Sequence, residues 1–514
     1  MTGAATLGLD FGTGSGRVVM IDLNTGGGVT EHTVGYQRGF LDETTAPQMK
    51  LAPNSAIQDP ADFIHAAEKL LSWAARAAAD LGFEIHPIGI SATSCTILPT
   101  LLDGTPLLHT PAFAGRPHAF AKLWKHHAAD HYAKRIAAAR PSFLGRYNNQ
   151  TSSEWSLAKA WQTMAEDPAL WQATERWIDA GDWIVWQLTG RETRSASHAG
   201  CKNHWQPDFG GYPEAGSLEA IQPGLGSWLD KLAPPHPLGT SAGPLTRRWQ
   251  DVTGIGSAAL VGVAMVDAEA AVLGSDVSTP GILVAAAGTS TCHMSLSAQP
   301  TPVAGIESLV YGGAVDGLYD YSTGQAASGD MLAWLSRMLA FGGRSSPEAV
   351  LETLVQELEG SVSPSPIQVM DWWNGCRTPL GQADLGGIVA NIKTTTTPVE
   401  IYRAMLEAGA MGMRYAYDLH RQAGPIHEIR ITGGMARFPA IMQIYADVMG
   451  QTVRANSTVL GSARGAAISA AKAAEWVVPI ILGYTDYEPR ESERYGEHYR
   501  QYCRHIEQAS ASTS

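Results

Sequence analysis

Residues 6–22 read TLGLDFGTGSGRVVMID, and this stretch decides the fold. Leu7 and Leu9 lead to Asp10, Gly12-Thr13-Gly14-Ser15-Gly16 break the run, and Val18-Val19-Met20-Ile21 resume it before Asp22. The pattern predicts a strand, a tight turn and a second strand. Glycines let backbone N–H groups crowd around an anion. Thr13 and Ser15 add hydroxyl donors. Asp10, at a strand end, is placed to face a hydrated magnesium ion, which keeps waters and takes few carboxylates. No Lys-Ser/Thr follows the glycines and a strand comes next, which excludes a P-loop; Asp10 before the turn and the hydroxyls inside it predict a phosphate-binding hairpin over an ordinary one.

Two further strand-to-glycine turns lie downstream. ILVAAAGTSTCH (282–293) runs an apolar strand into Gly288, Thr289 and Ser290. Two such turns near the starts of two domains predict a grip on both ends of one polyphosphate from opposite walls of a cleft. EIRITGGM (428–435) ends in Gly433 and Gly434, where a flat base can lie against bare backbone, and it feeds a helix with a stripe at 441, 444, 445, 448 and 449. Asp59-Pro60 predicts the start of a helix to Leu81, stopped by Gly82. The stretch 85–99 predicts a strand ending in hydroxyl residues, where ligands sit in open α/β sheets. LVGVAMVDAEAAVLG (260–274) places Asp267 at the start of a helix, where an anion is stabilised.

With 514 residues, at least two domains are expected. A net charge of −13 argues against a nucleic-acid partner. Residues 1–10 lack a basic n-region, and the apolar run 476–482 is too short to span a bilayer, so neither a signal peptide nor a membrane partner is expected. The five cysteines, at 95, 201, 292, 376 and 503, form no C-x-x-C, which suits free thiols in the cytoplasm. The six tryptophans between 155 and 186 predict an aromatic core in a helical layer. His126 and His127 are expected on a solvated helix face, since neighbouring helix positions diverge and cannot chelate one ion. Asp182 is expected to cap a helix, with a substrate contact as the alternative. Residues 195–250 predict a loop-rich, substrate-facing excursion in which Lys202 is the notable cation. Thr397-Pro398-Val399-Glu400 predicts a capping box opening a helix to about Arg421. GSARGAAISAAKAA (461–474) predicts a helix for close packing. The tail from Tyr484 predicts a surface helix, with 509–514 disordered.

DFGTGSGR, GTSTCH, ITGGMAR and GSARGAA, in this order, resemble the FGGY carbohydrate kinases of the actin-like, ribonuclease-H-like ATPase superfamily. RPHAFAKLWKHHAA, SSEWSLAK, IDAGDWIVWQLTGRETRSA, HAGCK, DWWNGCRTPL and QIYADVMG are similar, more narrowly, to the L-ribulokinases of that family. The resemblance covers almost the whole chain. It implies an α/β fold with two actin-like (ribonuclease H-like) ATPase domains flanking a central cleft. Residues 1–274 would carry the sugar site, the first phosphate loop and the base, 275–480 the nucleotide, and 481–514 a helical tail.

The resemblance implies ATP-dependent phosphorylation of the terminal (5-) hydroxyl of a ketopentose or polyol, with Mg2+, by a cytoplasmic homodimer. Asp10, Thr13, Gly14, Ser15 and Arg17 match its first phosphate loop, and Gly288, Thr289 and Ser290 its second. Gly433, Gly434 and Met435 match its adenosine segment. Asp267 matches its general base, needed because a sugar hydroxyl loses its proton as it attacks. Asp10 and Asp267 are the implied magnesium side chains, through water. Ser94, Lys202, Asp267, Ser322 and Gln325 are the implied sugar contacts.

Three places depart from the ribulokinase pattern. Ser91-Ala92-Thr93 stands where those enzymes read Asp-Phe-Thr, Ser322 where they carry Glu, and Asn148-Asn149-Gln150-Thr151 where they read Gly-Gly-Lys-Ile. Losing sugar-binding carboxylates loses discrimination. D-Ribulose, xylulose, ribitol and erythrulose therefore stand beside L-ribulose as acceptors. A sugar-sensing pseudokinase and an ATP-driven conformational switch are the alternatives of another class, disfavoured by the retained Asp10 and Asp267.

Overall fold

The computed structural model describes residues 2–511 apart from 148, 344, 362, 383, 457–459 and 480–482. Its contacts divide the chain into two units. The first holds 1–278, 308–320 and 460–481, and the second holds 279–307, 321–459 and 482–514.

In the first unit, β1 (Gly3–Phe11) pairs antiparallel with β2 (Ser15–Asp22), which sets Asp10 opposite Arg17, and β2 pairs with β3 (Gly28–Gly35). Helix α1 (Ala61–Leu81) opens where Asp59 Oδ1 accepts the Ala61 N–H at 2.9 Å. Its stripe of Phe63, Ala66, Ala67, Leu70, Leu71 and Ala74 is buried against the strands, the amphipathic solution its spacing predicts. Strand β4 (Phe83–Ala92) then runs parallel to β1, with Ser91 opposite Asp10. Helices α2 (Ala180–Thr189) and α3 (Ala196–Gly200) follow. Strands β5 (Ser241–Pro244), β6 (Leu260–Gly262) and β7 (Met265–Val266) lead into α4 (Asp267–Gly274). The sheet order is β5-β6-β4-β1-β2-β3, with β7 parallel to β4. All six tryptophans from 155 to 186 are buried, in two clusters.

The second unit repeats the scheme. Strand β8 (Ile282–Ala287) pairs antiparallel with β9 (Thr291–Ser297), and β10 (Tyr319–Gln325) lies beside β9. Helix α5 (Gly329–Leu339) follows, then α6 (Pro398–Ala423), which opens with the expected Thr397–Glu400 capping box. Strand β11 (Glu428–Thr432) is parallel to β8. Beyond α7 (Pro439–Met449), β12 (Val453–Asn456) is parallel to β11 and carries β13 (Thr485–Tyr487) on its outer edge. In each unit three successive strands are followed by two more added on the far side of the first. The core gathers Leu283, Ile429 and Ile431 with Met405, Ile441 and Tyr445 of α6 and α7.

Helix α8 (Gly461–Ala473) is grouped with the first unit, a correction to the division at 274/275 that put it in the second. Its buried face is Ala463, Ala466, Ala467 and Ala470. A Cβ on Gly8 of β1 or Gly89 of β4 would overlap the carbonyls of Ala463 and Ala466, so helix backbone lies directly on strand backbone. Between α4 and α8, Gly274 of α4 and Gly465 of α8 permit the same approach to Gly461 and Ala270. Buried Arg464 fastens the layer, donating to Gly26 O at 2.9 Å and pairing with Asp276.

Other local expectations change. His126 is buried rather than solvated: Nδ1 accepts the Ala56 N–H at 3.1 Å, and burial holds its pKa well below the usual value. Asp179, not Asp182, stands before α2, and Asp182 is buried in its first turn, accepting the Ser195 N–H at 3.1 Å. Residues 195–250 carry short helices among their loops. The tail forms α9 (Gly496–Ala511), which places 509–511 in a helix and buries Tyr502 and Ile506 in the second core, while 512–514 lie outside the described residues. Among the described residues no helix is long and apolar enough to cross a membrane.

Candidate active site

The hairpin between β1 and β2 is held from outside. Gly12 N–H donates to Ser15 O at 3.0 Å. Tyr36 donates its N–H to Gly14 O and its hydroxyl to Gly12 O, at 3.1 and 3.0 Å. Trp124 Nε1 donates to Thr13 Oγ1 at 3.0 Å. Gly14 is exposed, with open space around its Cα. Behind the turn Asp10 is buried, and its Oδ1 accepts the Ser91 hydroxyl at 2.8 Å. Burial raises the Asp10 pKa, against the pull of Ser91 and the Arg17 charge.

Asp267 is the first residue of α4, directly after β7. Phe11 and Val266 both register with Ala92 of β4, so Asp10 and Asp267 stand at the carboxyl ends of parallel strands two places apart. That spacing is about 10 Å between backbones. The Ala268 N–H donates to Asp267 Oδ1 at 2.9 Å. The Asp267 pKa is pushed up to about 7, first by burial, next by the Asp10 charge and then by Glu269. The residue as a whole is half-buried. The Asp10 charge reaches Asp267 and raises it, and two carboxylates so placed match the few acidic contacts a hydrated magnesium ion takes. The residues therefore fit that ion, although no group of three acidic, His or Cys ligands occurs among the described residues.

Elsewhere in the same unit, Lys202 Nζ donates to Glu154 Oε2 at 2.7 Å in a buried pair. Lys202 takes a φ of 142°, a strained backbone for a side-chain-bearing residue, and its carbonyl accepts the Ser156 N–H at 3.1 Å. Ser94 Oγ lies beside the Cys201 thiol with no other hydrogen-bond partner. Glu154 escaped the sequence reading, and Ser91 entered it as a departure from the ribulokinase pattern without its bond to Asp10. The acid within SSEWSLAK was its only signal for Glu154, and nothing local marks it as the partner of a lysine 48 residues on.

In the second unit the Gly288–Ser290 turn has the same closure, Gly288 N–H to Ser290 O at 2.9 Å. Gly288 O and Thr289 O accept the Gly329 and Asp330 N–H groups at the start of α5, each at 3.0 Å. Gly433 ends β11 with a φ of 100°, and a side chain there would overlap Ala287 O, the residue before Gly288. The second turn and the Gly433-Gly434 backbone are thus neighbours. Two expected contacts point elsewhere. The Met435 side chain belongs to the hydrophobic core. Gln325 is buried, its Nε2 donating to Asp371 Oδ2 and Gly409 O at 2.6 and 2.9 Å, so that amide is committed to the unit's interior. Ser322 is partly exposed, and its carbonyl accepts the Glu307 N–H.

With this geometry in place, residues 283–474 match the FGGY family of carbohydrate kinases, C-terminal domain. A ribulokinase of Mycolicibacterium smegmatis is 38% identical over 486 residues, covering 91% of this chain and 85% of its own length. A ribulokinase of Shouchella clausii is 36% identical over 488 residues, covering 91% and 86%. Among solved structures, a ligand-bound xylulose kinase from Lactobacillus acidophilus superposes with a TM-score of 0.82 at 16% identity, covering 99% of this chain and 98% of that one. That last likeness concerns the fold alone.

Proposed function

The chain belongs to the FGGY family of carbohydrate kinases, ATP-dependent sugar phosphotransferases, and from that premise we propose that it phosphorylates the 5-hydroxyl of a ketopentose, ribulose first. The observation that carries the reading is the placing of Asp10 and Asp267 at the ends of two parallel strands that flank β4, beside a glycine hairpin. Phosphoryl transfer is mostly positioning and charge neutralisation, and the protein's own chemical act is removal of one proton. Asp267 takes the proton of the acceptor hydroxyl. The hydroxyl oxygen forms its bond to the γ-phosphorus, the bond from that phosphorus to the β–γ bridging oxygen breaks, and ADP leaves with the electron pair.

Thr13, Gly14, Ser15 and Arg17 serve the phosphates from the first unit, as Gly288, Thr289 and Ser290 do from the second, and the Gly433-Gly434 backbone serves the adenosine. Magnesium, held through water by Asp10 and Asp267, would supply positive charge at the phosphates. Ser94 and the Lys202–Glu154 pair serve the sugar hydroxyls, with Ser322 the second unit's contribution. The same reading carries a homodimer in the cytoplasm, to be checked by light scattering on the purified protein.

The test is ADP release, coupled to a reporter, with L- and D-ribulose, xylulose, erythrulose and ribitol. Turnover highest on a ribulose is expected. Ser322, standing where ribulokinases carry a glutamate, favours one of the other acceptors as the second reading. Release on none of the five would remove the kinase reading. Asp267→Asn is expected to lower kcat by about 10²- to 10⁴-fold, and retained activity would remove the base.

A further inference from the structure

We propose that two serine hydroxyls, Ser197 on α3 and Ser462 on α8, bracket the main chain of Asp267 and so position its carboxylate for proton removal. The inference rests on Asp267 being the base. The Val266 N–H donates to Ser197 Oγ at 3.0 Å. One residue on, the Ser462 hydroxyl donates to Asp267 O at 2.8 Å. The backbone from the nitrogen of 266 to the carbonyl of 267 is therefore tied at both ends by side chains from two other elements. These are the torsions that aim the Asp267 Cα–Cβ bond where a strand becomes a helix. With Oδ1 occupied by the Ala268 N–H, Oδ2 is the oxygen presented to the acceptor hydroxyl.

Both supports are stiff. Ser197 is fully buried. Its helix is capped by Ser195 Oγ, which accepts the His198 N–H at 3.1 Å, and Ser195 N–H in turn donates to Asp182. Asn203 Nδ2 spans Asp179 Oδ2 and His198 O at 2.7 and 2.9 Å. Helix α8 has no side-chain cushion against α4: Gly461 faces Gly274 and Gly465 faces Ala270 at backbone contact, so the reach of Ser462 is fixed. Both serines act through Asp267 and are positioning residues.

A base must sit within hydrogen-bond reach of its proton, and displacement by about 1 Å costs on the order of 100-fold in rate. Ser462→Ala keeps a good helix former in α8, and it is expected to lower kcat about tenfold. KM for ATP and for the preferred ketose from the panel should stay within about twofold. Ser197→Ala should do the same, and Ser462→Thr, which keeps the hydroxyl, should restore kcat. Thermal unfolding of each variant separates loss of fold from loss of rate, and should Ser197→Ala unfold, Ser462→Ala and Ser462→Thr decide alone. An unchanged kcat in Ser462→Ala beside an inactive Asp267→Asn overturns the bracket and leaves the base assignment standing. A rise in sugar KM without a fall in kcat overturns it too, since the serine then serves binding. An active Asp267→Asn removes the base assignment and the bracket with it, while the kinase reading stands or falls on the acceptor panel.

Discussion

Two buried charge pairs give the first unit its single-residue predictions. Glu154 and Lys202 are each shielded from water, so removing one takes from the other a buried charge partner. Glu154→Ala should cost about 3–5 kcal/mol in urea unfolding, and in the folded fraction it should raise the sugar KM more than the ATP KM. The second pair titrates. His198 lies 3.5 Å from Asp179 Oδ1. Burial pulls the His198 pKa down, but hydrogen bonding and charge from Asp179, helped by Asp182 and Glu269, outweigh it and push the value up to about 9. A raised folded value means that the folded chain holds the proton more tightly. That stabilisation is whole below the ordinary His value of 6.5 and is lost as pH climbs to about 9. Asp182, raised to about 7 mainly by burial, contributes with the same sign at lower pH and has lost its share by neutrality. The melting temperature should thus fall between pH 7 and 9, a loss on the order of a few kcal/mol. Asp179→Asn should lower stability at pH 7 and flatten that fall. A pH-independent melting curve for the native chain would refute the charge assignment.

Helix α8 makes the prediction at the level of elements. Its glycines are spaces already filled by the backbone of a neighbour, so a methyl group at Gly465 must push α4 away. Gly465→Ala should destabilise by about 1–3 kcal/mol, read as a lower urea midpoint with unchanged slope, whereas Gly256→Ala, with open space around it, should stay within about 0.5 kcal/mol. The same element shows where sequence ends as a guide. Each strand-to-glycine turn was readable because strand, glycine and hydroxyl lie within a dozen residues and the hydrogen bonds that close the turn are local. The capping box at Thr397 and the buried stripes of α1 and α7 were readable for the same reason. GSARGAA announces close packing but not its partner, which is β1 at the other end of the chain. His126, Gln325 and Met435 misled in the opposite way. Their neighbours suggest a surface or a site, while distant groups, Ala56 and Gln162 for His126 and Asp371 for Gln325, enclose them.

For the whole molecule, the division into units predicts which pieces stand alone. A fragment ending at 278 contains every strand of the first sheet but lacks α8, which covers β1 and β4. It should show no cooperative unfolding transition by circular dichroism. Joining 460–479 to it through a Gly/Ser linker should restore one, and a cooperative bare fragment would show that α8 is dispensable. The same arrangement bears on biosynthesis. Everything from 275 to 460 leaves the ribosome between α4 and the helix that shields its sheet. At about 5–20 residues per second that delay is roughly ten to forty seconds. Through that interval the nascent chain carries a bare sheet face of Gly8 and Gly89 backbone with Val19 and Ile21, a surface suited to chaperones. Yield in a cell should respond to translation speed and chaperone supply before it responds to the stability of the finished enzyme.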